Sequence, residues 1–333
     1  MRSLKSILQL ALGVSESVEK KPLSPNDNRV KEFFNFAYLR HLIWYRRFKL
    51  KMDKPWTDDE TLRTYKFLNV YRELDKGTIY INNYVKNIAS DEGKLVAIIL
   101  YKFYNTVDIF ERLGVSPSDF TTDTKSLSQK LISGYKNLSD DKPVFNDAYL
   151  VTAGPGDKFI NIAKSIKKFD LTKMLEEIRT QDNAEESYNK LVSLIPNCGD
   201  FLGYEIWSQL CYSRVLKYST NDYCNVGPGA EPSITYIFGK DVDPMEALRY
   251  LQSVSYKELV DAPKRLGGKD SLGKFPSWDS IRYVCKYDKD VGNNLSLLTL
   301  ENIGCEFRKY KSHTSTSKNF VSKTKYLDQE ETE

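Results

Sequence analysis

A helix–turn–helix pattern at residues 183–212 constrains the fold of this chain more than any other stretch. Apolar residues recur at helical spacing up to Pro196, which ends a helix. Residues 197–199 then predict a tight turn, in which Gly199 supplies the positive φ that such a reversal usually needs. Asp200 is an expected N-cap, and the apolar spacing after it predicts a second helix. The pattern therefore predicts two consecutive helices joined by a short turn.

Two helices joined by a glycine-containing turn resemble the helix-hairpin-helix of DNA glycosylases and related DNA-binding proteins. In that motif, the amides of the turn and the N-terminus of the following helix hold a DNA phosphate. The resemblance implies DNA-binding roles for Asn197, Gly199 and Gly203. An ordinary corner between two packed helices has the same sequence signature, so both interpretations stay open.

Composition limits the class of protein. With 333 residues, of which 41% are hydrophobic, the chain can bury a sizeable core in one large or two modest domains. Its formal net charge of +4 permits contact with a polyanion without requiring it. Five cysteines without a CxxC pair, and only two histidines, predict neither a zinc site nor a disulfide scaffold. We therefore expect a reducing compartment, no metal and no cofactor.

Three segments are predicted along the chain. Residues 1–29 contain a short apolar patch and a polar linker, which indicates an amphipathic helix too short to span a membrane. Residues 30–312 carry helical periodicity and predict one all-α domain. Residues 313–333 are rich in Ser, Thr, Lys and Glu, which predicts a disordered tail. We expect a soluble, intracellular protein with no membrane partner.

The first strong helix is predicted at residues 30–48, where a broad apolar stripe ends in a cluster of arginines. Arg46 and Arg47 lie near the C-terminus of this helix, where cations complement the helix dipole. A guanidinium group also binds phosphate in a bidentate geometry. Structural and phosphate-binding interpretations therefore both stand for this pair.

A second polar cluster is predicted on the next helix. Thr57, with a glutamate three residues later, forms an expected capping box. The helix predicted at residues 61–75 carries Asn69, Arg72 and Asp75 at intervals of three, so the first two are close neighbours. The cluster is interpreted either as part of a binding site or as a structural hydrogen-bond network.

Two glycine-containing loops follow the hairpin. Gly227-Pro228-Gly229 predicts a turn whose backbone approaches a ligand closely, before a helix that restarts at Ser233. A plain turn remains the alternative. Residues 268–275 imitate a phosphate-binding GxxxxGK loop, but Phe275 replaces the Ser or Thr that holds magnesium, and no strand precedes the loop. We therefore predict no kinase activity for this chain.

Five blocks of the sequence together resemble the helical family of alpha-glutamyl/putrescinyl thymine pyrophosphorylases. That family includes amino acid:DNA transferases of bacteriophages and is related to a helical domain of hydroxymethyluracil DNA kinases. In chain order the blocks are Arg46-Arg47, Pro55 to Asp59, Phe67 to Asp75, Ile195 to Gly203 with Gly227 to Gly229, and Glu301 to Tyr310. The resemblance covers residues 30–312 and implies an all-α, helix-hairpin-helix fold like that of DNA glycosylases. A phage origin would place the protein in the host cytoplasm.

What the resemblance implies is hypermodification of thymine in DNA. An amine, either a free amino acid or a polyamine, displaces phosphate or pyrophosphate from the exocyclic methylene of hydroxymethyluracil, which a hydroxymethyluracil DNA kinase has phosphorylated. The base is flipped out of the duplex for this reaction. The residues implied in binding the substrate are Arg46, Arg47, Trp56, Thr57, Asn69, Arg72, Gly227, Pro228 and Gly229.

The attacking amine must be neutral, so a carboxylate is expected as its base. Asp58, Asp75 and Glu301 are the candidates. Two other functions stay open. A DNA glycosylase acting on modified thymine would use Asp222, upstream of the Gly-Pro-Gly loop. A non-catalytic DNA-binding partner of a hydroxymethyluracil DNA kinase would bind DNA without turnover.

Overall fold

The computed structural model describes residues 23–138, 142–145, 153–284 and 291–314. Its α-helices are α1 (Asp27–Trp44), α2 (Glu60–Thr64), α3 (Lys76–Val85), α4 (Asp91–Tyr104), α5 (Ile109–Arg112), α6 (Thr124–Lys136), α7 (Lys158–Ser165), α8 (Leu171–Arg179), α9 (Ala184–Leu194), α10 (Asp200–Tyr212), α11 (Glu231–Phe238), α12 (Pro244–Arg265), α13 (Trp278–Ile281) and α14 (Leu297–Thr314). A π-helical turn, Tyr45–Lys49, extends α1, and 3₁₀ turns lie at Arg72–Leu74, Pro117–Asp119 and Ile166–Lys168.

The predicted all-α class is confirmed. The strands that the described ranges contain are β1 (Lys269–Asp270) and β2 (Gly273–Lys274), which form a small antiparallel hairpin with Lys269 opposite Lys274. This hairpin occupies the segment that imitates a phosphate-binding loop. No helix in the described part of the chain is long and apolar enough to cross a membrane.

Side-chain caps define where many of the helices begin. In each case a short polar side chain accepts a hydrogen bond from an amide of the first turn, which would otherwise have no partner. The capping residues are Asn26, Asp59, Ser90, Asp123, Asp157, Asp170, Asn183 and Asp243.

One continuous hydrophobic core joins the described elements. Helix α1 packs along α12 and contacts α14, where the ring of Phe307 lies 5.4 Å from that of Phe33 and 5.7 Å from that of Phe36. Helix α4 packs on α8 and α10, and α11 packs on α14. This arrangement places α14 and the hairpin helix α10 inside the molecule, where each contributes a charged side chain to the site described below.

The helix predicted at residues 61–75 is wrong for most of its length. Helix α2 ends at Thr64, and an extended segment reaches the 3₁₀ turn Arg72–Leu74. The backbone of this segment bonds to side chains instead of to itself: the Leu68 amide donates to Glu306 Oε2 at 2.8 Å. Side-chain partners of this kind compete directly with helical hydrogen bonds. The expected cap is also corrected, because Asp59 caps α2, and Thr57, two residues earlier, is buried.

The hairpin forms where it is predicted, with α9 and α10 on either side of a short turn. Its detailed geometry differs from the prediction. Asn197 adopts the positive φ of 58°, whereas Gly199 has a φ of −81° and is the N-cap of α10. Asp200, the expected N-cap, is the first residue of the helix. Asparagine tolerates the left-handed region better than most residues, so the turn does not need glycine there.

The predicted ends of the domain fall partly outside the described residues. The amphipathic helix expected within residues 1–29 would lie at positions that precede residue 23, and the disordered tail would begin within α14, which continues to Thr314. Helix α1 starts at Asp27, inside the predicted linker. Both expectations stay untested, because residues 1–22 and 315–333 lie outside the described residues.

Candidate functional site

Three charged residues meet in the interior of the molecule, where Lys102 and Glu205 are buried and Arg72 is half-buried. Arg72, in the 3₁₀ turn before α3, donates two hydrogen bonds to the carboxylate of Glu205 on α10, the Nη2–Oε2 pair at 2.8 Å. Lys102 on α4 donates to the same carboxylate, with Nζ 3.0 Å from Oε2. The side chains of Arg72, Lys102 and Glu205 are 15%, 7% and 1% exposed. We call this set the charged triad; an incoming anion would meet Arg72 first.

The charges of the triad do not balance. Burial alone would raise the pKa of Glu205, but Arg72 and Lys102 outweigh that effect and hold the pKa below its usual range. Glu205 is therefore an anion at neutral pH, shared between two cations. The surplus positive charge acts on other groups nearby, and it favours negative charge at this position.

Glu301 is one of those groups. It lies on the inner face of α14, 6% exposed, and its Oε1 accepts a hydrogen bond from Cys305 Sγ at 3.3 Å. Burial raises the pKa of Glu301 to about 7, against the opposing effects of Arg72, Cys305 and the Gly227 amide, which donates to the carboxylate. A carboxyl group with this pKa can take up and release a proton near neutral pH, as general acid–base catalysis requires.

The Gly-Pro-Gly loop packs against α14 beside Glu301. A Cβ atom on Gly229 would stand 2.6 Å from Cys305 Sγ, and one on Gly304 would stand 3.1 Å from Ala230 Cβ. Gly229 therefore permits the close approach of loop and helix, and the ligand approach predicted for this loop stays a prediction. Gly227 is buried, and a Cβ atom on it would stand 3.9 Å from Glu301 Oε1, whereas Pro228 is exposed. Helix α11 begins directly after the loop, at Glu231 instead of the predicted Ser233.

Helix α14 also fixes the extended segment that leads to Arg72. Tyr310 donates from its hydroxyl to Asp59 Oδ2 at 2.6 Å, and Glu306 accepts from the Leu68 amide. Asn302 Nδ2 donates to the carbonyl oxygens of Asn69 and Val70, at 2.8 and 3.2 Å. Three of the sequence blocks, around residues 55–59, 67–75 and 301–310, are therefore parts of one hydrogen-bonded assembly.

Asn69 and Asp75 form a local structural network. The amide and Nδ2 of Asn69 both donate to Asp75 Oδ1, at 3.2 and 3.0 Å, and Arg40 Nη2 donates to Asn69 Oδ1 at 3.0 Å. Burial raises the pKa of Asp75 to about 6, although Arg72 and the Asn69 amide oppose the shift. These contacts give Asn69 a structural role, and its substrate-binding role stays a prediction; Asp75 has a pKa suited to proton transfer.

Arg46 and Asp58 are engaged elsewhere, at the β-hairpin. Arg46 Nη1 and Nη2 lie 2.5 and 2.8 Å from the carboxylate oxygens of Asp270, and Nη1 also donates to the Trp56 carbonyl at 2.9 Å. The hydroxyl and amide of Ser271 donate to Asp58 and lower its pKa. Both side chains thus tie the loop before α2 to the hairpin, apart from the charged triad.

The other predicted residues divide between surface and interior. Arg47 is exposed, with its guanidinium carbon 4.9 Å from the ring centre of the partly buried Trp56. Thr57 is buried and accepts from the Asp59 amide at 3.2 Å. Asn197 and Gly199 are exposed at the turn of the helical hairpin. Gly203 is buried, since a Cβ there would stand 2.3 Å from Val192 Cγ2, so it serves the contact between α9 and α10.

The sequence analysis missed Glu205 and Lys102. Glu205 is the one charged residue in the apolar run at 201–212, FLGYEIWSQLCY. Lys102 is the one charged residue in the apolar run at 95–104, LVAIILYKFY. Charged residues are rarely buried unless they are paired, so an isolated charge within such a run signals a buried partner of opposite sign. Within the described ranges, no group of three or more His, Cys, Asp or Glu side chains is arranged to hold a metal ion.

Comparison with known proteins identifies the family to which the chain belongs. Residues 27–318 match the family model described as "5-hmdU DNA kinase, helical domain". The 5-hmdU DNA kinase of Bacillus phage SP10 is 28% identical over 306 residues, which cover 84% of this chain and 44% of that relative. The chain therefore spans less than half the length of this relative. No solved structure matches the chain. Since the family model matches most of the sequence, the chain belongs to the family of 5-hmdU DNA kinase helical domains.

Proposed function

We propose that this protein modifies hydroxymethyluracil-derived bases in DNA by replacing a phosphate or pyrophosphate on the exocyclic methylene with an amine, in the first instance an amino acid. Family membership and the name of the phage relative support a substrate derived from 5-hmdU in DNA. The resemblance of the five sequence blocks to amino acid:DNA transferases supports amine transfer. The observation that carries the proposal is the buried Glu301, with a pKa of about 7, beside the charged triad.

Glu301 is the proposed general base. As the amine nitrogen forms its bond to the methylene carbon, the C–O bond to the phosphate breaks and the phosphate leaves with the electron pair. The nitrogen loses a proton, which the Glu301 carboxylate accepts and later releases to solvent or to the departing phosphate. Asp75, with a pKa of about 6, is the second candidate. Asp58 ranks last, because Ser271 stabilises its anion and it lies at the β-hairpin.

Arg72 is the proposed contact for the leaving group. It is the most exposed member of the triad, and the bidentate bond to Glu205 fixes the plane of its guanidinium group. A cation held in place before the substrate arrives stabilises charge that develops on the phosphate without reorganisation during the reaction. Glu205 and Lys102 are positioning residues in this scheme, since Glu205 holds the guanidinium group of Arg72 and Lys102 bonds to the same carboxylate.

DNA binding is proposed for the turn of the helical hairpin. Asn197 and Gly199 are exposed at the N-terminus of α10, where amides at a helix start favour a phosphate. The reacting base must leave the duplex to reach a buried carboxylate, so base flipping is part of the proposal.

The test is a digest of DNA into nucleosides, analysed by mass spectrometry. Duplexes carrying hydroxymethyluracil or its phosphorylated form are incubated with the protein and a mixture of amino acids and polyamines. We expect a heavier, amine-bearing nucleoside from the phosphorylated duplex only when amine is present. Unchanged nucleosides under every condition would contradict amine transfer, and a released base with an abasic site would indicate a glycosylase.

A second candidate is a DNA-recognition module that acts with a kinase. The phage relative is named as a kinase and is more than twice as long as the matched region. The segment of this chain that imitates a phosphate-binding loop forms a β-hairpin instead. This function predicts salt-dependent DNA binding without turnover, and a higher rate when a hydroxymethyluracil DNA kinase is added. The glycosylase alternative has less support, because Asp222 is exposed and caps a turn by accepting from the Ser219 amide at 2.7 Å.

A further inference from the structure

A basic and aromatic surface lies at the C-terminal end of α1. Residues 47–54 carry four cationic side chains against a single carboxylate, that of Asp53, and these charged residues are exposed. The cations are Arg47, Lys49, Lys51 and Lys54. Together with Trp56 we call this surface the basic platform. Its concentration of positive charge suits a polyanion, whereas the whole chain is weakly basic.

Aromatic rings restrain Arg47 and Lys54 of the platform. The guanidinium carbon of Arg47 lies 4.9 Å from the ring centres of both Phe48 and Trp56, and Lys54 Nζ lies 5.6 Å from that of Trp56. Cation–π contacts of this kind limit the freedom of exposed side chains while leaving their charge available. A cation that is already restrained loses less entropy when it binds a phosphate.

The backbone beneath the platform is fixed as well. The π-helical turn closes with the Leu50 amide donating to the Tyr45 carbonyl at 3.0 Å. Trp56 Nε1 donates to the Met52 carbonyl at 2.7 Å, and Arg46, held by Asp270, donates to the Trp56 carbonyl. Single π-turns within helices often mark functional sites. The bidentate pair of Arg46 therefore supports the platform and leaves Arg47 to face solvent.

A series of ring contacts connects the platform with the charged triad. The ring centre of Phe48 lies 6.4 Å from that of Trp44, Trp44 lies 6.4 Å from Tyr283, and Tyr283 lies 5.4 Å from Tyr71. Tyr71 directly precedes Arg72. The ring centres of Phe48 and Tyr71 are therefore at most about 18 Å apart. Five nucleotides of a DNA strand span about the same distance, at roughly 3.4 Å each.

We propose that the basic platform binds the phosphodiester backbone of DNA within about five nucleotides of the base that enters the charged triad. This inference rests on the proposed DNA substrate, and it assigns Arg47 to the flanking strand instead of to the leaving phosphate. Phe48 and Leu50 are 40% and 52% exposed, so an anionic lipid surface has to be tested as well. The restrained cations and the short distance to Arg72 favour DNA.

The test compares two double variants of the full chain. Arg47→Ala with Lys54→Ala removes two platform cations, and Lys167→Ala with Lys168→Ala removes two exposed cations between α7 and α8. Binding to an unmodified duplex is measured by fluorescence anisotropy over a range of salt concentrations. For the platform variant we expect affinity to fall roughly tenfold or more at about 0.1 M salt, and the slope of log K against log salt to decrease by about two. The control variant should keep the wild-type slope.

Flank length provides an independent measurement. Shortening the DNA on one side of the modified base to fewer than about five nucleotides should weaken wild-type binding and leave the platform variant unchanged, by the spacing above. If the platform variant keeps the wild-type slope of log K against log salt, the DNA-binding role of the platform is wrong while the proposed function still stands. Failure of the wild type to bind DNA would overturn the proposed function together with it. Binding of the wild type to anionic vesicles, with no preference for DNA, would assign the surface to lipid.

Discussion

Two opposing effects act on the carboxyl group of Glu301. Burial favours its neutral form, while Arg72 and the hydrogen bonds from Cys305 and Gly227 favour the anion. Burial prevails, and the result is a pKa of about 7 instead of 4.5. Glu205 experiences the same burial with a different outcome, because two cations bond to it directly. The two glutamates therefore have distinct roles, one as a permanent anion and the other as a group that exchanges protons.

The pKa of Glu301 predicts a pH dependence of stability. Because its pKa is higher in the folded state than the ordinary 4.5, the folded protein binds this proton more tightly, and the free energy of unfolding falls as pH rises from about 4.5 to about 7. The loss amounts to roughly 3 kcal/mol at most, at about 1.4 kcal/mol per pKa unit. Glu301→Gln has no carboxyl group to ionise and so avoids this loss. The variant should therefore be more stable than the wild type at about pH 8 and equally stable at about pH 4.5.

Urea unfolding of both proteins at the two pH values measures this difference. Asp75, which shifts in the same direction, is present in both and does not affect the comparison. Equal stabilities at about pH 8 would show that Glu301 is not held in an unfavourable environment.

Glu205→Gln should strongly destabilise the protein. The substitution leaves Arg72 and Lys102 buried without their anion, which typically lowers the free energy of unfolding by about 3–5 kcal/mol. Glu177→Gln is the control, because its ion pairs with Lys173 at 3.9 Å and Lys190 at 3.4 Å lie at the surface, where the lysine side chains are 71% and 35% exposed. That change should alter stability by less than about 1 kcal/mol. Similar urea midpoints for the two variants would contradict the account of the triad.

The residue types of the site were more predictable than their partners. Arg72, Asp75 and Glu301 stood out as polar groups within motifs, and the structure places Asp75 and Glu301 in the electrostatic surroundings of Arg72. Arg46 carried the same sequence signal but pairs with Asp270, more than 200 residues away in the chain. No local pattern identifies such a partner, because the fold alone brings the two residues together.

At the scale of elements, the helical hairpin could be predicted because the residues that determine it are close together in the sequence. Pro196 ends one helix, a polar turn follows, and apolar spacing resumes at once. The segment 65–71 was misread because its deciding contacts are distant: Glu306 and Asn302 of α14 bond to its backbone. Its own composition is compatible with a helix, and tertiary hydrogen bonds override that preference.

The contact between α9 and α10 yields a prediction for Gly203. In Gly203→Ala the new methyl would stand 2.3 Å from Val192 Cγ2, so we expect a loss of about 1–3 kcal/mol from overpacking. Adding Val192→Ala should recover part of that loss, since it removes the clashing methyl groups and makes the two effects non-additive.

Gly199→Ala is the matched control in the same hairpin. A Cβ there meets no atom within 4 Å and the backbone φ is −81°, so the expected loss is below about 1 kcal/mol. Thermal or urea unfolding of the set checks these expectations. A Gly203→Ala variant as stable as the control would show that α9 and α10 do not pack as closely as described.

At the scale of the whole molecule, one core connects both ends of the described chain. Trp207 on α10 and Trp278 on α13 are fully buried in it, and α14 packs against α1, α11 and α12. We expect tryptophan fluorescence and far-ultraviolet circular dichroism to report the same unfolding midpoint, because elements that share a core unfold together. Two separate midpoints would show that the helices divide into independent units.

The triad depends on this global arrangement. Arg72, Lys102, Glu205 and Glu301 come from four elements of the chain. Helix α4 packs on α10, and Glu301 of α14 lies within the electrostatic influence of Arg72 and Glu205. The all-α class and the positions of α1, α9 and α10 followed from helical periodicity. The buried site did not, because an ion pair between helices leaves only isolated charges in the sequence.

The most direct test of the account compares three proteins on phosphorylated hydroxymethyluracil DNA with amine: the wild type, Glu301→Gln and Asp58→Asn. Nucleoside mass spectrometry follows the product, and anisotropy confirms that each protein binds DNA. We predict that Asp58→Asn retains wild-type turnover and that Glu301→Gln loses it by about 100-fold or more, the usual contribution of a general base. An amine-bearing nucleoside formed by Glu301→Gln at the wild-type rate would contradict the assignment of the buried site as the reaction centre.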